Sequence, residues 1–308
     1  MPKKIVVIGS SNVDMIMKMD RLPKVGETIT DAEFVQTFGG KGANQAMAAV
    51  RAGGDVAFVN CVGEDIYADI MIHNFQKEGM ETNYIFKEKG IPSGTALVMI
   101  GDEGTNYLSV APGANYKLSP SLLDKSKDII KEAALIIIQL EIPIDTTHHI
   151  LEIANELGIK VMFNLAPVQP FDLEYLKYVH YFIVNETETE AITGIIIKTQ
   201  EDIKFAAEQL LKKGPKVVII TLGADGSYIC SKDLKQFIPC FKVKAVDTTA
   251  AGDTFCGSLG VALVDGKDLI EAVIFATAAS ALSVTRLGAQ PSIPTRKETD
   301  EFLKINHK

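Results

Sequence analysis

The chain has 308 residues, 47% of them hydrophobic and 23% charged. That is enough to bury one large α/β core or two ordinary ones without disulfides or a structural metal. A formal net charge of −8 argues against bulk binding to nucleic acid or to an anionic membrane, because an acidic surface repels both.

Residues 4–8 form a short apolar run closed by Gly9, the pattern of a buried parallel strand. The run is too short for a signal segment or a membrane span, so a cytoplasmic protein is expected. Ser10, Ser11, Asn12 and Asp14 follow at the end of this strand, where open α/β sheets bind ligands. Asp14 can bond sugar hydroxyls there or simply shape a turn. Residues 15–19 and 27–37 alternate loosely around Pro23 and Gly26 and read as strands of a small antiparallel element. In the stretch 38–46, Gly39, Gly40 and Gly42 let backbone pass close to a ligand. A helix then begins at Asn44 and Gln45 and ends at Gly53 and Gly54, with Lys41 and Asn44 offering a cation and an amide at its start. Neither G-x-x-x-x-G-K-[ST] nor G-x-G-x-x-G occurs, which counts against the P-loop and dinucleotide readings, a nicotinamide-linked dehydrogenase among them.

Further on, 56–62 reads as a strand, 65–79 as a helix, and 95–100 with 106–111 as a hairpin over 101–104. Together with 15–37 this hairpin makes a small sheet able to cover a site. From 134 the rhythm is regular: strands at 134–140, 160–165, 181–184 and 217–221, helices at 144–157 and 201–213. The alternation predicts an α/β fold, a mostly parallel sheet flanked by helices on both faces with the small antiparallel β lid beside it. It also brings Asp14, Glu141, Asn164, Asn185, Glu188 and Asp253 to one sheet edge. The glycine turn at 221–226 runs past a nucleotide or forms a plain hairpin into 227–230. The four cysteines make no C-x-x-C pair and read as free thiols in a reducing compartment.

Near the C-terminal end, Phe241, Val243 and Ala245 alternate as in a strand, and a small, apolar helix covers 254–264. Ala250, Ala251 and Gly252 between them are tiny, so the first N–H groups of the helix can meet an anion, with the Asp253 carboxylate beside it. Such a pairing suits phosphoryl transfer to a hydroxyl: amides take the charge growing on phosphoryl oxygens and the carboxylate takes the proton. Taken alone, a short turn of this kind is more often an acidic residue complementing the helix dipole. Helices at 269–285 and 295–305 enclose the closing stretch 286–292.

Three stretches in order, Gly39-Gly40-Lys41-Gly42-Ala43-Asn44-Gln45-Ala46, Asn185-Glu186-Thr187-Glu188 and 247–255, resemble the motifs of the ribokinase-like (carbohydrate kinase) family, and with 288–292 the resemblance covers essentially the whole chain. It implies a single kinase domain, 1–308, with a lid from about 14–38 and 94–112 that also forms a homodimer contact. The implied reaction is ATP-dependent phosphorylation of D-ribose at O5, with Asp253 as the base and the Ala250, Ala251 and Gly252 amides as the anion hole. Asn12, Asp14, Gly40, Lys41, Gly42, Asn44 and Glu141 would hold the sugar. Asn185, Thr221, Gly223, Ala224, Asp225, Gly226 and Gly252 would line the ATP site, with Thr277 near the adenine. Glu188 would place Mg²⁺, or another divalent cation, through water. Asp247, Thr249, Ser283, Arg286, Gly288 and Ser292 would hold a monovalent activator, usually K⁺, several through backbone carbonyls. Thr249 stands where the family often has an apolar residue; a contact through its carbonyl leaves that change neutral. A kinase of deoxyribose, of another sugar or of a nucleoside, and a non-catalytic sugar or nucleotide sensor, are the alternatives to be tested.

Overall fold

The computed structural model describes residues 3–101 and 106–306. The first half carries β1 (Lys4–Ile8), β2 (Asn12–Met19), β3 (Glu33–Gly39), α1 (Lys41–Arg51), β4 (Asp55–Gly63), α2 (Ile66–Lys77), β5 (Ile85–Glu88), β6 (Gly94–Gly101), β7 (Asn106–Ala111), the short α3 (Pro120–Leu123) and α4 (Lys127–Lys131), β8 (Ala133–Ile138) and α5 (Ile144–Leu157). The second half carries β9 (Lys160–Asn164), β10 (Tyr181–Asn185), α6 (Glu186–Thr193), α7 (Gln200–Leu211), β11 (Val217–Thr221), β12 (Ser227–Ser231), β13 (Lys235–Ile238), α8 (Ala251–Val264), α9 (Leu269–Ser283) and α10 (Arg296–Asn306).

Nine strands form one sheet in the order β13-β12-β11-β10-β9-β8-β1-β4-β5. It is parallel from β11 to β5, and β12 runs against both of its neighbours, β11 and β13. Successive residues of β1 serve opposite faces, as strand geometry requires. Val6 and Ile8 join the core layer under α5 and α7, and Ile5 and Val7 join the layer under α1, α8 and α9. Both faces being covered explains why β1, β8 and β10 read as continuous apolar runs. α1 packs on α8 at close range: a Cβ on Gly257 would meet the Gln45 carbonyl oxygen, and the Ala48 methyl at 2.6 Å. That approach carries the polar start of α1 to the start of α8. No helix among the described residues is long and apolar enough to cross a membrane.

The lid is a four-stranded sheet, β3-β2-β6-β7. β3–β2 and β6–β7 pair antiparallel as expected, and the middle pair, β2–β6, runs parallel. Three residues, Gly9 to Ser11, separate β1 from β2, so the lid grows directly from a central strand.

Several boundaries differ from expectation. No strand forms over 241–245: Pro239, which lacks an N–H, follows the edge strand β13, and the chain then runs outside the sheet with Phe241 against Phe302 of α10. Its alternation records one side resting on the body. Residues 27–32 are not strand either; Glu27 pairs with Arg21 and accepts from the Lys24 N–H, which pins a turn. α1 begins at Lys41, three residues early, because Ser10 and Glu141 supply the acceptors for its first turn. The expected tip of the β6–β7 hairpin, 101–104, lies mostly outside the described residues.

Candidate catalytic site

Ala250 opens α8 in the left-handed conformation, φ 60° and ψ 13°, as the only non-glycine residue with positive φ among the described residues. An L-residue held there costs about 1–2 kcal/mol, and the local structure over-determines it. Ala251 N–H reaches back to the Thr248 carbonyl at 3.2 Å, Thr254 N–H bonds the Ala250 carbonyl at 2.8 Å, and the Ser280 hydroxyl of α9 donates to the Ala251 carbonyl at 2.9 Å. Among the described residues, no protein acceptor pairs with the N–H of Gly252 or Asp253. A Cβ on Gly252 would meet nothing within 4 Å, so this glycine keeps space open rather than fitting a neighbour. The result is a helix N-terminus with outward donors and no side chain in front of them, the geometry that receives an anion.

Asp253 follows, 6% exposed. Its Oδ2 accepts from Asn44 Nδ2 and its Oδ1 from Gln45 Nε2, both at 3.0 Å. Burial pulls the Lys41 ammonium down, but Asp253, Glu141 and Glu188 outweigh it and hold the ammonium above its ordinary value. Lys41 therefore stays charged among three carboxylates. Glu188 is buried in the same cavity, where desolvation and Asp253 raise its carboxyl against the Asn185 N–H and Lys41. Asn185 and Glu188 cap α6 reciprocally: Asn185 Oδ1 accepts from the Glu188 N–H, and Glu188 Oε2 from the Asn185 N–H, each at 2.8 Å. This capping box fixes both side chains beside the Asp253 turn.

On the lid side, Asp14 projects from β2 beside Glu141, and no described group donates a hydrogen bond to its carboxylate. Burial and the Glu141 charge push its carboxyl up to about 7. Glu141 accepts from the Ser10 hydroxyl and from the Lys41 N–H. The glycines of 39–42 have a packing reason beside any ligand approach. A Cβ on Gly39 would strike the Asp14 carboxylate, one on Gly40 (φ 88°) would lie 2.7 Å from Ser11 Cα, and one on Gly42 2.5 Å from Ser10 N. Gly39 thus makes room for Asp14, and Gly40 and Gly42 let the start of α1 close on the β1–β2 connection. Asn12 is likewise turned inward: its Oδ1 accepts from Asn115 Nδ2 at 2.8 Å. Asn115 also bonds the Ser11 N–H and carbonyl, and Asn60 bonds the Gly9 carbonyl. Sequence reasoning gave Ser10 no role of its own and passed over Asn60 and Asn115. The signal was Asn60 inside the apolar 56–62 run, because a buried amide must find partners.

A second cavity of about 370 Å³ lies on the other side of the α8 turn, lined by Asn185, Thr221, Gly223, Gly226, Gly252 and Thr277 among others. Ala224 and Asp225 are not part of its lining; they sit exposed on the outer side of the turn. Thr277 faces the cavity with its hydroxyl bonded to the Val273 carbonyl. This cavity and the roughly 220 Å³ one holding Lys41, Glu188 and Asp253 share Asn185, Thr221, Ala251 and Gly252. The two spaces therefore meet at the open amides.

Of the six residues expected around a monovalent cation, Asp247 joins Thr249 and Gly288. Its Oδ1 takes the Thr249 N–H and hydroxyl, and its Oδ2 takes the Gly288 N–H. Burial pushes this carboxyl up, but those donors win and it lies below the ordinary range. The other three side chains are engaged elsewhere: Ser283 with the Ser280 carbonyl, Arg286 with Glu298, and Ser292 with the Ala289 carbonyl. The loop lies just beyond the C-terminus of α9, an end that favours cations. Carbonyl oxygens rather than those side chains suit a weakly hydrated monovalent ion there.

Comparison with known proteins fits this arrangement. The model of the pfkB family carbohydrate kinases matches residues 2–296. A ribokinase of Haemophilus influenzae is 40% identical over 304 residues, 99% of both chains. A deoxyribokinase of Salmonella typhimurium is 37% identical over 303 residues, 98% of this chain and 99% of its own. The structure of Arabidopsis thaliana ribokinase complexed with ribose and ATP is similar with a TM-score of 0.92 at 34% identity, covering 99% of each chain.

Proposed function

Because the chain belongs to the pfkB family of carbohydrate kinases, we propose that it transfers the γ-phosphoryl group of ATP to O5 of D-ribose, giving D-ribose 5-phosphate and ADP. The observation that carries this reading is the meeting of two cavities at the α8 N-terminus, where Ala251 and Gly252 line both and Asp253 lines the smaller. ATP occupies the larger cavity, over Gly223, Gly226 and Thr277. The sugar lies against Asp14, Lys41, Asn44 and Glu141. Asp253 takes the proton of the 5-hydroxyl as the O5–phosphorus bond forms and the bond from phosphorus to the ADP oxygen breaks. The open amides at Gly252 and its neighbours take the charge on the transferring group, held in place before it develops. Lys41 adds a fixed cation on the acceptor side.

Glu188 and Asn185 offer oxygens to a divalent cation, which when bound neutralises phosphoryl charge. The loop braced by Asp247 holds K⁺ through carbonyls and keeps the α8 turn in shape. The lid exposes Phe34, Val35, Leu97, Tyr107, Leu108 and Val110. So much apolar surface on one small sheet suits a homodimer through the lid. Asp14 favours ribose over the 2-deoxy sugar that the Salmonella typhimurium relative's name raises. Its carboxylate only accepts, and a missing hydroxyl leaves it buried and unpaired.

Asp253→Asn tests the assignment. Loss of a general base costs about 10²- to 10⁴-fold in turnover, while ribose binding, measured by calorimetry, stays within a few-fold. Near-normal turnover in this variant removes Asp253 from the role.

A further inference from the structure

The Asp253 carboxylate is held from behind by Gln45, which is fully buried and lines neither cavity. Its Nε2 spends one hydrogen on Asp253 Oδ1 and the other on Asn164 Oδ1, both at 3.0 Å. Its Oε1 accepts from Gln139 Nε2 at 2.7 Å. Asn164 in turn donates to the Ile183 carbonyl. Every hydrogen bond in this chain runs in one direction, so Gln45 cannot turn its amide over without breaking three of them. Gln139, also fully buried, stands just past β8, and Asn164 ends β9. The chain thus ties the carboxylate to the rim of the sheet. Gly9 makes room for it, since a Cβ there would collide with Gln139 Oε1.

The two donors on Asp253 differ. Asn44 uses only its Nδ2 on the carboxylate, and its buried Oδ1 is without a partner among the described residues, so one end of its amide is left for an incoming sugar hydroxyl. Gln45 has no such freedom. We propose that Gln45, braced by Gln139, is a positioning residue that fixes the Asp253 carboxylate so that Oδ2 faces the acceptor hydroxyl. A neutral amide suits that role, because it orients the carboxylate without cancelling its charge, as a cation would. The proposal rests on Asp253 being the base.

The test is a cycle of wild type, Gln45→Met, Asp253→Asn and the double variant, assayed for ribose phosphorylation. Gln45→Met is expected to lower kcat roughly 10- to 100-fold, the cost of a misplaced reacting group. KM for ribose and for ATP should stay within about threefold, since no substrate contact is removed. In the Asp253→Asn background the same change should cost less than about twofold, because a base already absent cannot be misaimed. A full-sized second loss in that background shows general damage and overturns the proposal, as does a wild-type kcat for Gln45→Met. Normal turnover by Asp253→Asn alone is a separate failure: it defeats the base assignment, and the positioning role falls with it. If Gln45→Met does not fold, as thermal unfolding would show, Gln139→Met removes the brace one contact further out. It should reproduce the kcat loss with KM held, and a wild-type kcat for it overturns the proposal.

Discussion

Asp14→Asn should make the ligand-free protein more stable at alkaline pH while destroying sugar binding. The carboxyl of Asp14 titrates at about 7 in the fold, against 3.8 ordinarily, because it is buried beside Glu141 with no donor of its own. A raised folded-state value means that the fold binds this proton more tightly than the unfolded chain does. The resulting stability is fully present below about pH 4 and is lost as pH rises toward 7. The gap of roughly 3 units, at about 1.36 kcal/mol each, makes the ionised carboxylate cost the empty fold up to about 4 kcal/mol. Asn copies the protonated shape and cannot ionise. Urea unfolding of both proteins from pH 4 to 8.5 reads the effect as a difference, in which the titrating groups that do not interact with Asp14 cancel. The variant should gain on wild type across that range and level off above about pH 8. A difference independent of pH would refute the reasoning, because Asp14 would then carry no misplaced charge. The trade has a functional sense: a carboxylate without protein donors is kept for sugar hydroxyls, which supply them on binding.

Gly252→Ala should separate stability from activity. A Cβ there meets nothing within 4 Å, and Ala is favoured over Gly in a helix by up to about 1 kcal/mol, so thermal stability should hold or rise while kcat falls at least about 10-fold as a methyl enters the anion space; unchanged kcat would show that phosphoryl charge is not received at this turn. Turnover should rise on adding K⁺ to buffer free of monovalent metal ions, and Asp247→Ala should blunt the response by releasing Thr249 from Gly288; equal rates with and without K⁺ would remove the cation from the account.

The parallel sheet and the Asp253 turn were legible because both are local patterns: apolar runs at regular intervals, and tiny residues before an acid. The Asn185–Glu188 capping box was just as local, yet it read only as ligand chemistry, and α6 itself went unnoticed. Less legible was anything set by distant neighbours. The glycines of 39–42 read as a ligand cradle, yet a side chain there is also excluded by Asp14, beside Gly39, and by residues 9–12, beside Gly40 and Gly42, which only the fold brings against them. Gln45 and Asp253 lie 208 residues apart, and nothing in either segment announces their bond. At 241–245 a strand-like alternation did not become a strand, because the chain had already left the sheet after β13. The short helices between 113 and 131 were missed because four or five residues give no periodicity to read.

The central claim is tested most directly by ATP-to-ADP turnover of the purified protein with Mg²⁺ and K⁺, offering ribose, 2-deoxyribose, fructose and adenosine separately and identifying the product. Ribose should give fast turnover and the 5-phosphate, with the 2-deoxy sugar and the other acceptors far slower. Turnover that no acceptor accelerates, or a faster reaction with another acceptor than with ribose, would contradict it.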